Sequence, residues 1–228
     1  MGIIVNAISI SSGIFIGSIF KNRIKFKNFE ILGIAIMIIS LVGFFENIFD
    51  VRGLMLKSDD LLVVVFALIT GTVFGDIFRV DEKLGNVSDL KNKGFSEFLD
   101  AAIFFCVGGM QICGPIMLAV ASDNSQLILK SMIDFPFALM FGISYGKKVS
   151  LSVLPVMLGQ VIILVVAMLS KDFLNNGVIK QICAIGYIIL FFSGYNLLCE
   201  KKHKINNVNM LIGLLVILVY NAILMFWR

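Results

Sequence analysis

Histidine is almost missing from this chain: one residue in 228, His203, and it lies in the basic stretch CEKKHKINN. That scarcity excludes a buried histidine acid–base pair and a histidine-bound zinc site. Charge is scarce too, at 15% Asp, Glu, Lys and Arg, where soluble domains carry about 25%. The four cysteines, Cys106, Cys113, Cys183 and Cys199, have no disulfide-framework spacing and read as reduced thiols. G-x-S-x-G, P-loop and dinucleotide fingerprints are absent, as is a basic, aromatic-studded surface for nucleic acid. The sequence therefore predicts no catalytic residue, no cofactor, no metal centre and no nucleic-acid partner.

What is abundant is hydrocarbon: 59% of residues are apolar, against about 45–50% in ordinary globular chains. A membrane span needs about 20 mostly apolar residues, and such runs recur along the whole length. The expected class is all-α: a polytopic transmembrane bundle forming one membrane domain over residues 1–228. About eight spans are expected, over Gly2–Phe20, Ile31–Ile48, Leu61–Phe78, Phe98–Ala121, Leu127–Tyr145, Leu151–Leu169, Ile179–Cys199 and Val208–Trp227. The fifth carries Lys130, Asp134 and Pro136, and the count falls to seven if it is re-entrant. The N-terminus lacks a basic region and a small-residue cleavage site, so the first helix is expected to stay.

Lysine and arginine set the orientation, because basic loops resist translocation. Thirteen of the 19 fall in loops after odd-numbered spans, including Lys21, Arg79, Lys147 and Lys201. Those loops are expected in the cytoplasm and both termini outside. The net charge of +4 then belongs to loops beside lipid headgroups.

Two glycine-spaced motifs echo each other. GIFIGSIFK ends the first span with Gly13 and Gly17; GTVFGDIFR ends the third with Gly71 and Gly75; a weaker version, GISYGKK, closes the fifth with Gly142 and Gly146. Glycines four apart share a helix face and let another backbone come close, within the chain or in a homo-oligomer. Two readings of an internal repeat stand: these three echoes, or an inverted pairing of GIAIMIISLVGFFEN in span two with GYIILFFSGYN in span seven.

Asp134 is the polar residue that most needs a reason. A carboxylate at a helix centre costs about 2.5–3.5 kcal/mol on insertion scales, so it faces a bundle interior, a water-filled cavity or a partner. Either it is a wet outer cap paired with Lys130 at i,i+4, or an interior group beside a helix broken at Pro136. Span four supplies a second expected break, in CVGGMQICGP, where Gly108, Gly109, Gly114 and Pro115 surround Gln111. Asn6, Gln160 and Asn196 are neutral amides on apolar helices, suited either to interhelical hydrogen bonds or to lining a path. Asp76 reads as an interfacial anchor or a partner of Arg79, Glu97 and Asp100 as caps, and Glu46 with Asn47 as a wet rim or the mouth of a path. Cys106, Met110, Cys113 and Met117 share a face and would suit Cu(I), but packing alone gives the same stripe.

Six stretches, GIIVNA, GDIFRVDEKL, FCVGGMQICGPI, KSMIDF, VLPVMLGQ and GYNLL followed by KINNVNML, resemble in that order the landmarks of the bacterial domain-of-unknown-function 554 family. The resemblance implies a small multi-pass protein of the inner membrane and a role in transport. The family pattern K-S-x-x-D-G is broken here, since Phe135 and Pro136 follow Asp134. Residues and resemblance together predict a secondary transporter or channel for a small solute or ion. Asp134 binds or couples; Gln111 and the Gly108–Pro115 stretch supply ligands; Asn6, Gln160 and Asn196 complete the lining. The alternatives are a non-transporting scaffold or regulator, or an enzyme acting within the membrane. Asp76 and Asp134, expected at opposite ends of the bilayer, are too far apart to share a catalytic water.

Overall fold

A computed structural model describes residues 1–21, 29–52, 55–57, 61–79, 98, 101–102, 104–106, 109–171, 173–199, 205 and 207–227. The elements are α1 (Gly2–Ile19), α2 (Phe29–Ile48), β1 (Asp50–Arg52), β2 (Met55–Lys57), α3 (Leu61–Ile77), α4 (Gly109–Ala121), α5 (Ser125–Tyr145), a 3-10 turn (Lys147–Ser152), α6 (Val153–Leu169), α7 (Asn176–Leu198), α8 (Asn207–Met210) and α9 (Ile212–Phe226). Residues 98, 101–102 and 104–106 are helical and precede α4. The fold is helical, with one departure from the all-α expectation: β1 and β2 pair antiparallel, Val51 opposite Leu56. Four helical stretches are long and apolar enough to cross a membrane, Gly2–Ile19, Ser125–Tyr145, Lys147–Leu169 and Asn176–Leu198; four shorter apolar helices accompany them.

The helices are built inside out. On α1 the buried positions include Gly2, Asn6, Gly13 and Gly17, while Ile4, Ile8, Phe15 and Ile19 are exposed. On α3 the buried face is Val64, Ala67, Gly71 and Gly75, and Leu62, Phe66, Ile69 and Val73 point outward. Small residues inside and large apolar residues outside is the pattern of helices solvated by lipid.

Contacts divide the chain into two compact units, one of residues 1–28 and 84–169, the other of 29–83 and 170–228. In the first, α1 and α5 run parallel: Gly2 N donates to Asn124 Oδ1 at 2.9 Å, and Ser9 Oγ donates to Ser131 O at 2.6 Å. Further along, Gly13 faces Phe135 and Ala138, and Gly17 faces Leu139 and Gly142. A Cβ on Gly13 would fall 2.7 Å from Phe135 O, and one on Gly17 would strike the carbonyl of Leu139. Gly146, expected on the packing face, instead lies one residue past α5 at φ 81, where glycine ends the helix without steric cost. Lys21 Nζ completes that end by donating to Tyr145 O at 3.0 Å.

The break expected at Pro136 is absent; α5 continues through it, as α4 continues through Pro115. Proline removes one hydrogen bond, here the one to Met132 O, but Ser131, Asp134, Phe137 and Ala138 are buried on both sides of it and hold the helical path. At the start of α5, Asp123 Oδ1 accepts from Ser125 N at 2.8 Å and Ser125 Oγ at 2.6 Å. These bonds favour the charged form and hold the Asp123 carboxyl below its ordinary range.

In the second unit α2 and α7 run antiparallel, Gly33 against Gly194 and Gly43 against the Tyr187 ring. Likewise α3 opposes α9 and α8, Gly71 against Gly213 and Gly75 against Asn209.

Gly17→Ala and Gly142→Ala are expected to wedge α1 from α5 and destabilise the fold by about 1–3 kcal/mol. Ile8→Val on the exposed face should change stability by no more than about 0.5 kcal/mol. Thermal melts of the purified protein in one detergent compare them; equal melting temperatures for all three would contradict the packing described.

Candidate functional site

The first unit closes into a ring, with α1 against α5, α5 against α4, α4 against α6 and α6 against α1. Each helix places a buried polar residue in it: Asn6 from α1, Lys130, Ser131 and Asp134 from α5, Gln111 from α4 and Gln160 from α6. Ser152, at the end of the 3-10 turn, is also buried.

Lys130 and Asp134 are four apart on α5, which puts both on one face. Lys130 Nζ stands 2.8 Å from Asp134 Oδ2 and donates to Phe105 O at 3.1 Å. Only 4% of Lys130 and 5% of Asp134 is exposed, so the wet cap is excluded. Asn6 lies beside the Asp134 carboxyl. Either charge alone would cost several kcal/mol to bury; as a pair the cost is largely offset. Cys106 lies within the field of both charges.

On the far side of the ring, Gln111 Nε2 donates to Val156 O at 2.9 Å. Ser152, Val156 and Gln160 follow at four-residue intervals and are all buried.

What sets this ring apart is its unpaired polarity. Seven buried side-chain atoms lack a hydrogen-bond partner among the described residues: both amide atoms of Asn6 and Gln160, Gln111 Oε1, Asp134 Oδ2 and Ser152 Oγ. All belong to the first unit. Of these, Asp134 Oδ2 belongs to the ion pair and is approached by the Lys130 ammonium to 2.8 Å; the other six atoms are neutral. Such an atom costs about 1–3 kcal/mol when buried without a partner. In the second unit the buried polar residues are matched: Ser40 Oγ donates to Ile36 O at 2.6 Å, Asn221 Nδ2 to Gln181 Oε1 at 2.8 Å, and Asn209 Nδ2 to Asp76 Oδ1 at 2.5 Å.

The structure thus brings Asn6, Gln111, Asp134 and Gln160 into one unit. Asn196 is not with them: it lies in the other unit, where its amide accepts from Ile205 N at 2.8 Å and donates to Ile205 O at 2.7 Å, clasping the chain before α8. Gly109, Gly114 and Pro115 are buried on α4, Gly114 against Leu127, and Pro136 sits within α5. Gly108, Glu97 and Asp100 lie outside the described residues. Asp76 is exposed and takes Asn209, while Asn47 Nδ2 donates to Gly43 O at 2.7 Å. Of the Cys and Met stripe, Met110 and Cys113 are buried, and no group of three or more His, Cys, Asp and Glu fit to hold a metal is found among the described residues. The sequence names Lys130 as the i,i+4 partner of Asp134, but in a wet cap rather than a buried pair. Ser152 carries no signal, since KKVSLS reads as an ordinary loop.

Apolar surfaces turned outward and polar residues gathered inside helix packing define a membrane protein. The chain belongs to the family described as protein of unknown function (DUF554), whose model matches residues 1–222. It is 26% identical over 229 residues to the uncharacterized membrane protein YdfK of Bacillus subtilis (strain 168), covering 97% of both chains. It is 23% identical over 244 residues to the uncharacterized protein YqgA of Escherichia coli (strain K12), covering 100% of this chain and 98% of the relative. No solved structure matches.

Lys130→Met alone, which strands the Asp134 charge, is expected to destabilise the protein by about 3–5 kcal/mol. Adding Asp134→Leu should recover most of that loss, and a double-mutant cycle from equilibrium unfolding measures the coupling. Additive losses would mean that the two charges do not act as a pair.

Proposed function

We propose that the protein is a secondary transporter or channel for a small solute or ion, with Asp134 as its binding or coupling group. The observation that carries this reading is the ring of the first unit, where a buried ion pair on α5 shares the interior with unpartnered polar atoms from α1, α4 and α6. A purely structural core would be expected to match them, as the second unit does. Ionisable residues at membrane depth mark solute and ion pathways. Asn6, Gln111 and Gln160 offer neutral donors and acceptors for a passing solute. A scaffold role is less well supported, because the glycine faces that could serve assembly pack against helices of their own unit.

The same reading takes the chain across the bacterial inner membrane eight times, with both termini outside. The parallel course of α1 and α5 fits an odd number of crossings between them, as the antiparallel course of α2 and α7 fits an even number. Lys21 and Lys147, beside the ends of α1 and α5, are then cytoplasmic.

The test of transport is flux in proteoliposomes over a panel of cations, anions, amino acids and small metabolites, with wild type compared to Asp134→Asn. At least one solute should cross with wild type and fall at least tenfold with the variant. A panel with no wild-type flux, or equal flux in both, overturns the proposal. For orientation, single cysteines are placed on a background lacking the four native ones. Asp123→Cys should react with an impermeant thiol reagent in intact cells, and Lys147→Cys only after permeabilisation.

A further inference from the structure

The ion pair on α5 closes on itself: Lys130 Nζ meets Asp134 Oδ2 at 2.8 Å and donates to Phe105 O at 3.1 Å. What stays open in the ring is neutral, and on the side of α4 and α6 it consists of two amides and a hydroxyl. Gln160 on α6 is 1% exposed, and neither end of its amide has a partner among the described residues. Gln111 on α4 is buried as well; its Nε2 donates to Val156 O at 2.9 Å, and its Oε1 has no partner there. Ser152, wholly buried, adds an unpartnered hydroxyl.

Gln111 is anchored at the turn of α6 that carries Gln160. Val156 O is the carbonyl that the backbone N–H of residue 160 takes in an α-helix, so the Gln111 amide reaches that same turn. Gly159 makes the approach possible: a Cβ on it would fall 3.3 Å from Gln111 Nε2. Ser152 lies on the same face of the segment, two turns earlier and about 12 Å along the axis. A solute moving along α6 meets the hydroxyl at one level and the two amides at the other.

A glutamine amide presents a carbonyl and an NH2 group side by side. A cation engages only the oxygen and an anion only the nitrogen, and each leaves the other end buried and unmet. A molecule that itself carries N–H beside C=O engages both ends of Gln160 through two parallel hydrogen bonds. Its outward N–H then has Gln111 Oε1 to donate to. Urea and the primary carboxamides have this edge. Glycerol has hydroxyls but no planar donor–acceptor pair, and one water spans one bond at a time.

We propose that the first unit takes small uncharged amides, of the urea and primary carboxamide class, on the amide edge of Gln160, with Gln111 Oε1 accepting their remaining N–H. The inference rests on the transport reading and names the solute class of that same interior. It gives binding to the amides of α4 and α6 and leaves coupling to Asp134. Only hydrogen bonds form and break.

The test uses the full chain in proteoliposomes and follows the entry of labelled urea. Wild type should take it up at least fivefold faster than protein-free vesicles. Excess acetamide should slow that uptake at least threefold, whereas glycerol and N,N-dimethylacetamide, which keeps the C=O and has no N–H, should leave it unchanged. Gln160→Met fills the same space without the amide. It should lower urea uptake at least tenfold and keep or raise the melting temperature, since an unmet buried amide is removed. Should Gln160→Met fail to fold, the competition series on wild type decides. The proposal is overturned if urea enters no faster than in protein-free vesicles, or if N,N-dimethylacetamide or glycerol competes as well as acetamide. It is overturned equally if folded Gln160→Met takes up urea as fast as wild type, or melts lower because its amide was already matched. Fast osmotic water passage without urea entry makes the ring a hydrated interior only and also overturns it. Asp134-dependent flux of some other solute, with no response to urea or acetamide, overturns the amide site and leaves the transport reading standing; flux of nothing overturns both.

Discussion

Lipid gives helices no reason to cluster their apolar side chains, so what joins them must come from close backbone approach and from polar contacts. Much of the packing here follows from that constraint. Where α1 meets α5 and α3 meets α9, glycine stands against backbone atoms of the facing helix, and a single methyl would collide with them. Many bulky isoleucines and phenylalanines, Ile4, Ile8, Phe15 and Phe66 among them, face outward, while others such as Ile10 and Phe137 are buried. Interiors made this way are rich in small residues, and a polar side chain placed among them is conspicuous.

The two units treat such side chains differently. In one, amides are matched with amides, carbonyls or hydroxyls, and Asn196 uses both ends of its side chain to hold Ile205. In the other, a lysine and an aspartate meet at 2.8 Å among amides that keep atoms without a partner among the described residues. The first arrangement fixes a fold. The second leaves an interior with spare acceptors around a charge pair whose members depend on each other, and the proposed transport role is built on that difference.

Much of this was legible along the chain and some was not, for identifiable reasons. The solvent, the apolar helices and the glycine spacing are local properties, and composition and periodicity report them directly. Partnership is not local. Asn6 and Asn196 look alike in sequence, each a neutral amide in an apolar helix; only the fold shows that one is clasped nine residues away and the other stands beside Asp134. Pro136 misled because proline's preference is a local term of one hydrogen bond, whereas its neighbours Ser131, Phe137 and Ala138 are buried and keep the helix continuous through it. Gly146 misled for the opposite reason: the third glycine motif copies the spacing of the others, but its second member has left the helix.

Each unit is stitched from two distant stretches of chain, and Gly2 meets an acceptor 122 residues downstream. During synthesis α1 therefore enters the bilayer long before its companion exists, its glycines and Asn6 turned toward whatever is nearby. The second unit begins with α2 and waits in the same way for α7. The first unit has all its residues once position 169 is made, while the second, begun earlier with α2, stays open until the C-terminal helices follow. Interleaving thus makes the second unit begin its wait soon after α1 and close last, and places its most vulnerable interval in the nascent state.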